Sequence, residues 1–102
     1  DRLSRDYLSV CRRNTVFRDG NNDLTTDSLV DLYNKQGGKC WFTGVNMAGS
    51  KHPCLSVSID RIDSSKPHNL NNIRLTLKCI NRAKRHYGDL AIETWIEQLR
   101  SI

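Results

Sequence analysis

The chain has 102 residues, of which 37% are hydrophobic, and this length and composition suit one compact domain with a modest core. Lysine and arginine number 16 against 11 aspartates and glutamates, and the resulting net charge of +5 favours a polyanionic partner. No apolar run approaches the roughly 20 residues needed to cross a bilayer, and no signal-peptide pattern opens the chain, so we expect an intracellular protein without membrane association. The start at Asp1 rather than Met indicates a piece of a longer protein.

The first third of the chain is predicted to be helical. Residues Asp1–Val16 mix apolar and basic side chains in the pattern of a basic amphipathic helix. The polar segment Asp19–Asp23 is typical of a loop, and Thr26 or Asp27 then caps a second helix. A glycine pair ends that helix. We therefore expect a helical N-terminal part over residues 1–37.

An aromatic segment follows. Residues Lys39–Gly44 predict a short strand that runs into a turn. Trp41, Phe42 and Trp95 each lie on an element with an apolar face, so we expect them in the core rather than on a base-stacking surface.

The second half of the chain predicts two strands and two helices. Ser56–Arg61 alternates strictly between polar and apolar residues, which is typical of a half-buried strand. Ile73–Leu77 reads as a second strand that leads into a helix over about 78–87, and a final amphipathic helix covers about 90–101. The sequence therefore predicts an α+β fold. Its core, at about 56–87, is a two-stranded antiparallel hairpin and a helix, with additional flanking helices.

Two oxygen-bearing side chains stand out in this core. Asp60 is at the end of the first predicted strand, and Asn81 lies within the helix that follows the second. A hard cation such as Mg²⁺ accepts carboxylate and amide oxygens and completes its shell with water and substrate phosphate. Taken alone, each residue is readily explained by turn or surface hydrogen bonding. Together they predict a site for Mg²⁺ or Mn²⁺.

Four segments carry a resemblance to a known family: Gly38–Gly44, Ser58–Lys66, Asn71–Ile73 and Cys79–Lys84. In this order they resemble the HNH endonucleases, particularly members from phages and mobile elements, and the similarity spans about residues 29–85. The resemblance implies a ββα-metal fold and metal-assisted cleavage of a DNA phosphodiester bond. It also implies DNA as the partner and the cytoplasm of a host cell as the location. Cutting of both strands by so small a domain calls for a homodimer or two successive nicks.

The same resemblance assigns roles to individual residues. Asp60 and Asn81 match the metal ligands, and Asn72 matches the middle Asn that orients the general base through a hydrogen bond. Asn81 is nine positions after Asn72, the separation expected for the family. Plain turn chemistry is the alternative for Asn72. Basic residues assigned to phosphate contact, with a solvated surface as the alternative, are Lys66, Arg82, Lys84 and Arg85.

Arg61 departs from the family pattern, because the family usually has there the His that takes a proton from the attacking water. Arginine stays protonated in proteins, so Arg61 is not an ordinary general base. Three readings stay open: Arg61 stabilises the pentavalent phosphate while hydroxide attacks, His68 or His52 supplies the base, or the domain binds DNA and cuts poorly. We favour the first two together. An exposed, inert imidazole is the alternative for both histidines.

The four cysteines are widely spaced and form no Cys-x-x-Cys pair, so we expect free thiols and no zinc. Two further hypotheses belong to other function classes. One is a non-catalytic DNA-binding module on a degenerate HNH scaffold. The other is a structural zinc domain that uses Cys40, Cys54 and Cys79.

Overall fold

The computed structural model describes residues 4–101, so the first three residues of the first predicted helix lie outside the described part. The elements in chain order are α1 (Arg5–Asp19), α2 (Thr26–Lys35), β1 (Val57–Arg61), a short 3-10 helix (Leu70–Asn72), β2 (Ile73–Leu77), α3 (Lys78–Tyr87) and α4 (Asp89–Arg100). The strands form one antiparallel hairpin that continues directly into α3. The predicted α+β fold, with a hairpin, a following helix and flanking helices, is confirmed. Within residues 4–101, no helix has the length and apolar character to cross a membrane.

Side-chain caps set the start of both N-terminal helices. The Ser4 hydroxyl accepts a hydrogen bond from the Tyr7 backbone N–H at 3.2 Å at the start of α1. Thr25 caps α2, and the prediction of Thr26 or Asp27 was wrong by one or two positions. The Thr25 and Ser28 hydroxyls each accept the other residue's backbone N–H at 3.0 Å. Ser28 thus has the part that Glu or Gln usually has in a capping box.

The register of the hairpin sorts its side chains onto two faces. Val57 pairs with Leu77 and Ile59 with Leu75, and these apolar side chains are buried in the core. Other buried members of that core are Leu8, Leu24, Leu29, Met47, Ile73 and Ile92. The opposite face pairs Asp60 with Arg74 and Ser58 with Thr76. This polar face is also covered, since Asp60 is 3% exposed and Thr76 is fully buried.

The strand predicted at Lys39–Gly44 was wrong. Only one isolated bridge, between Lys39 and Asn46, forms there, and the residues between them make a turn. The edge of β2 is closed by Gln36 instead, whose amide donates to the Leu75 carbonyl and accepts from the Leu75 N–H, both at 2.9 Å. The Gln36 side chain, together with the Trp41 backbone N–H that donates to the Leu75 carbonyl at 3.1 Å, therefore occupies this edge in place of a third strand.

The aromatic residues divide between core and surface. Phe42 is buried, as predicted, and the Arg74 guanidinium lies 4.4 Å from its ring centroid. Trp41 is 61% exposed on the turn, so its predicted place in the core was wrong. Trp95 is 42% exposed and packs edge-on against Tyr87, so its predicted place in the core was also wrong. An apolar face on an element therefore does not ensure that an aromatic ring at the edge of that face is buried.

Gly88 alone joins α3 to α4. Its φ of 86° lies in the left-handed region, which a side chain would strain, and its N–H donates to the Lys84 carbonyl at 2.7 Å. This sharp turn brings Asp89, at the start of α4, back towards Arg74, where the two side chains bond at 2.8 Å.

Candidate active site

A cavity of about 550 Å³ lies where β1, α3 and the loop after β1 meet the end of α1. Six of the ten candidate site residues singled out from the sequence line it: Asp60, Arg61, His68, Asn81, Lys84 and Arg85. Arg82 lines an adjoining cavity, and Asn72 and Lys66 line neither of the two. The fold therefore brings residues from three separate chain segments together at one place.

Asp60 is the centre of a charged network. One of its carboxylate oxygens accepts from Arg74 Nε at 2.8 Å, and the other accepts from Lys84 Nζ. Lys84 also donates to the Arg61 carbonyl at 2.7 Å and lies 3.4 Å from Asp89 Oδ1. Arg74 and Lys84 thus bridge the same two carboxylates, those of Asp60 and Asp89. The cross-strand register and the Gly88 turn create this arrangement, in which Lys84 points inward and is 10% exposed.

Asn81 approaches the cavity from α3. Its Nδ2 donates to Ser58 Oγ at 2.7 Å and to the Ile59 carbonyl at 3.3 Å. Because a carbonyl only accepts, these bonds fix the orientation of the amide. Its Oδ1 makes no hydrogen bond to residues 4–101, so this oxygen remains available to a ligand.

The donor set of Asp60 and Asn81 fits a hard divalent cation, because a carboxylate and an amide oxygen line the same cavity. No group of three or more His, Cys, Asp or Glu residues suited to a metal occurs in the described part of the chain, so a cation held by Asp60 and Asn81 would need water and phosphate oxygens as its other ligands. Asp60 is already paired with two cationic side chains. A divalent cation at Asp60 would therefore have to displace Lys84, whose ammonium group is carried on a flexible stem.

His68 is held by a carboxylate that sequence reasoning missed. Its Nδ1 lies 3.0 Å from both carboxylate oxygens of Asp19, and its backbone N–H donates to Asp19 Oδ2 at 2.8 Å. Asn22 Nδ2 also donates to that carboxylate, at 3.0 Å. Asp19 ends α1, 49 positions before His68, and only its loop-like surroundings were visible in the sequence. No local pattern signals this pairing.

The protonation state of the pair follows from its surroundings. Burial lowers the pKa of His68, and the positive charges of Arg61 and Arg18 act in the same direction, although Asp19 opposes them. Burial raises the pKa of Asp19, but hydrogen bonds from Asn22 and His68 outweigh it and leave that pKa below its usual value. A neutral imidazole beside an ionised carboxylate results. Nδ1–H then donates to Asp19, and Nε2, which has no hydrogen-bond partner among residues 4–101, is free to accept.

Asn72 lies in the wall of the site rather than in the cavity. Its Oδ1 accepts from the Asp63 N–H at 2.9 Å, and its Nδ2 donates to the carbonyls of Asp63 at 3.0 Å and Pro67 at 2.9 Å. It thereby ties together the loop that leads into His68. Lys66 is an exposed residue of that loop, 3.9 Å from Asp63.

His52 lies elsewhere on the molecule. Its Nδ1 accepts the backbone N–H groups of Cys54 and Leu55, at 3.1 and 2.9 Å. It lines neither cavity, and its ring organises the loop before β1.

Positive charge gathers beside the candidate ligands. Burial lowers the pKa of Arg85, and the nearby charges of Arg18, Arg61 and Arg82 lower it further. Arg61 makes one long bond, from Nη1 to the Lys66 carbonyl at 3.4 Å. Four arginines near one another attract an anion such as phosphate.

The cysteines are free thiols. Cys40 Sγ accepts the Leu77 N–H at 3.3 Å, which occupies it within the core. Burial and the neighbouring Cys54 raise the pKa of Cys79 to about 11, so that this thiol stays protonated at neutral pH.

Comparisons of the chain with protein-family models, with curated proteins and with solved structures find no match. The functional conclusion therefore depends on the chemistry of the cavity.

Proposed function

We propose that this chain is a DNA endonuclease of the HNH type, which hydrolyses phosphodiester bonds with the help of Mg²⁺ or Mn²⁺. One observation supports it most: Asp60, Asn81 and His68 line a single cavity. Candidate ligand oxygens, a neutral imidazole with a free nitrogen, and surrounding arginines are what hydrolysis of a phosphodiester requires. These groups come from β1, α3 and a loop, which makes a coincidental assembly a weaker explanation.

The residues divide the reaction between them. His68 Nε2 takes a proton from the water whose oxygen attacks phosphorus, and Asp19 stabilises the imidazolium that forms. The bond between phosphorus and O3′ breaks, and the departing oxygen takes a proton from solvent. Arg61 adds positive charge beside the phosphate as the fifth bond forms. Asp60 and Asn81 would hold a divalent cation, which would supply further positive charge to stabilise the phosphate and the leaving oxygen. Arg61 thus acts electrostatically, and His68 is the base.

Nicking of supercoiled plasmid tests this proposal. The wild type is expected to convert plasmid to the nicked form with Mg²⁺ or Mn²⁺ and not with EDTA, and Asp60→Ala and Asn81→Ala are expected to abolish nicking. Asp31→Ala, which removes an exposed acid on α2, is the matched control. Circular dichroism establishes that each variant is folded, which matters most for Asp60→Ala because two cations lose their partner. A folded Asn81→Ala that nicks like the wild type contradicts the proposal.

A second candidate is a non-catalytic DNA-binding module. The observation in its favour is that Arg74 and Lys84 already bond to both carboxylate oxygens of Asp60. The charge of this carboxylate is therefore neutralised without a divalent cation. Arg61→His separates the two functions. A gain of nicking from an inactive wild type supports the binding module, whereas loss of nicking from an active wild type gives Arg61 a positive role in catalysis.

A further inference from the structure

A second cavity, of about 540 Å³, adjoins the first and lies between α1 and α3. One face of each helix lines it, at the spacing of three and four residues that places side chains on the same side. Its lining residues include Arg18 from α1 and Lys78, Arg82 and Arg85 from α3. We call this cavity the α1–α3 groove.

The α1–α3 groove shares part of its lining with the candidate active site. Arg18, His68, Asn81 and Arg85 line both cavities, together with Ile59. A chain that lies in the groove therefore leads directly to the groups proposed to act on phosphate.

The charged side chains of the α1–α3 groove are all basic. Its basic lining residues are Arg18, Lys51, Lys78, Arg82 and Arg85, and no Asp or Glu among residues 4–101 lines it. Within residues 4–101, none of these five side chains makes an ion pair or a hydrogen bond, whereas Arg74 and Lys84 are each paired with two carboxylates. Cations held close together without a counter-ion repel one another, and a bound polyanion relieves that repulsion.

The dimensions of the groove favour one strand. Its volume is that of a small-molecule site, so it admits a short stretch of a single chain and not a duplex. Lys78 and Arg85 lie about 10 Å apart along the axis of α3, so both can contact phosphates of the same strand. Val10, which is 47% exposed, lines the groove together with the basic residues and can contact a sugar or a base.

We propose that the α1–α3 groove binds a single-stranded segment of DNA adjacent to the phosphate that is cut, with Arg18 and Arg85 contacting phosphates where the two cavities meet. This inference rests on the proposed function for the identity of the polyanion. It adds the form of the substrate, which is DNA with an unpaired stretch such as an overhang, a flap or a bubble.

Fluorescence anisotropy with a labelled single-stranded oligonucleotide in EDTA tests the groove without cleavage. The double variant Arg18→Gln/Arg82→Gln removes two groove charges, and Arg13→Gln/Lys35→Gln removes two exposed charges outside it. The groove variant is expected to weaken binding at least about tenfold and to reduce the slope of log K against log salt by about 1.4, since each phosphate contact contributes about 0.7. The control is expected to keep the wild-type slope. A blunt duplex of the same sequence should bind the wild type more weakly than the single strand.

Three results overturn the inference: equal losses in both double variants, binding of the duplex as tight as that of the single strand, or no binding by the wild type. The proposed function can fail separately. A protein that binds through the groove and never nicks retains the inference and loses the nuclease. A protein that nicks plasmid while the groove variant binds normally retains the nuclease and loses the inference.

Discussion

Two buried carboxylates near the cavity, Asp60 and Asp19, have opposite kinds of partner. Asp60 is bonded to the guanidinium group of Arg74 and the ammonium group of Lys84. Asp19 is bonded to His68, the one type of side chain whose charge changes near neutrality. One region therefore holds fixed charge, and the other can gain or lose a proton.

This difference suits the two regions to different roles in the proposed hydrolysis. A network of fixed charges can attract cations and phosphate but cannot accept a proton from water. A carboxylate-oriented imidazole with a free Nε2 can. The arginine at position 61, where HNH endonucleases usually have His, is therefore compatible with the proposed catalysis, because His68 from another segment lines the same cavity.

The largest effect is expected from removal of the imidazole. His68→Ala should lower the nicking rate about 10²–10⁴-fold, the usual contribution of a general base. Asp19→Asn should cause a smaller loss, because it perturbs the ring without removing it. His52→Ala is the control and should nick at the wild-type rate, since its ring lies outside both cavities. If His52→Ala is inactive and His68→Ala is active, the two histidines have been assigned in the wrong order.

The next largest effect is expected from Arg74→Leu, and it is a loss of free energy of unfolding rather than of nicking rate. The substitution leaves Asp60 as a buried acid paired with Lys84 alone and removes the cation that covers Phe42. Breaking a buried ion pair in this way costs about 3–5 kcal/mol of unfolding free energy, measured by urea denaturation. Arg5→Leu breaks an exposed pair with Asp27 and should cost less than about 1 kcal/mol. Similar losses for both variants would show that the network around Asp60 adds no stability.

Local patterns were sufficient to predict most of the elements. The bounds of β2 and α3 agree with the sequence expectation, because polar and apolar residues follow the period of a strand and then of a helix, and Gly88 ends α3. The strand expected at Lys39–Gly44 failed for a reason that no local pattern contains. Gln36 bonds to the edge of β2 from a distance of 39 positions, and this removes the place for a third strand.

The candidate site was predictable only in part, for the same reason. Asp60 and Asn81 lie on regular elements whose geometry brings them to one cavity. The partners of Asp60 depend on strand register and on the turn at Gly88, so the inward position of Lys84 was not foreseen. Asp19 reaches His68 only through the packing of α1 against the loop before β2.

Lys84→Met sharpens the comparison by removing one fixed charge. Lys84 competes with a divalent cation for Asp60, so its loss should tighten Mn²⁺ binding about tenfold, or about 1.4 kcal/mol, in isothermal titration calorimetry. Lys35→Met, on the surface of α2, is the matched control and should leave Mn²⁺ affinity unchanged. Weaker Mn²⁺ binding by Lys84→Met would contradict the competition. It would point instead to a lysine that organises the ligands.

The smallest effect is expected in the pH dependence of stability. The folded-state pKa of His68 lies below its ordinary value of 6.5, so the unfolded chain binds more protons in this range. The stability that His68 contributes is therefore complete above about pH 6.5 and is lost as the pH falls through the folded-state pKa. Arg18, Arg61 and Arg85, which share the cavity with His68, keep their charge throughout.

His68→Asn isolates this contribution, because Asn keeps an N–H for Asp19 and does not titrate. Unfolding free energies measured by urea denaturation from about pH 7 to about pH 5 should fall less steeply for the variant, by at most about 1.4 kcal/mol per pH unit. Other titrating groups are common to both proteins and cancel in the difference. Equal slopes would mean that His68 titrates alike in the folded and unfolded chains. Burial in the Asp19–His68 pair would then not favour the neutral imidazole that the proposed general base requires. The proposed difference in role between Asp19 and Asp60 would lose its support.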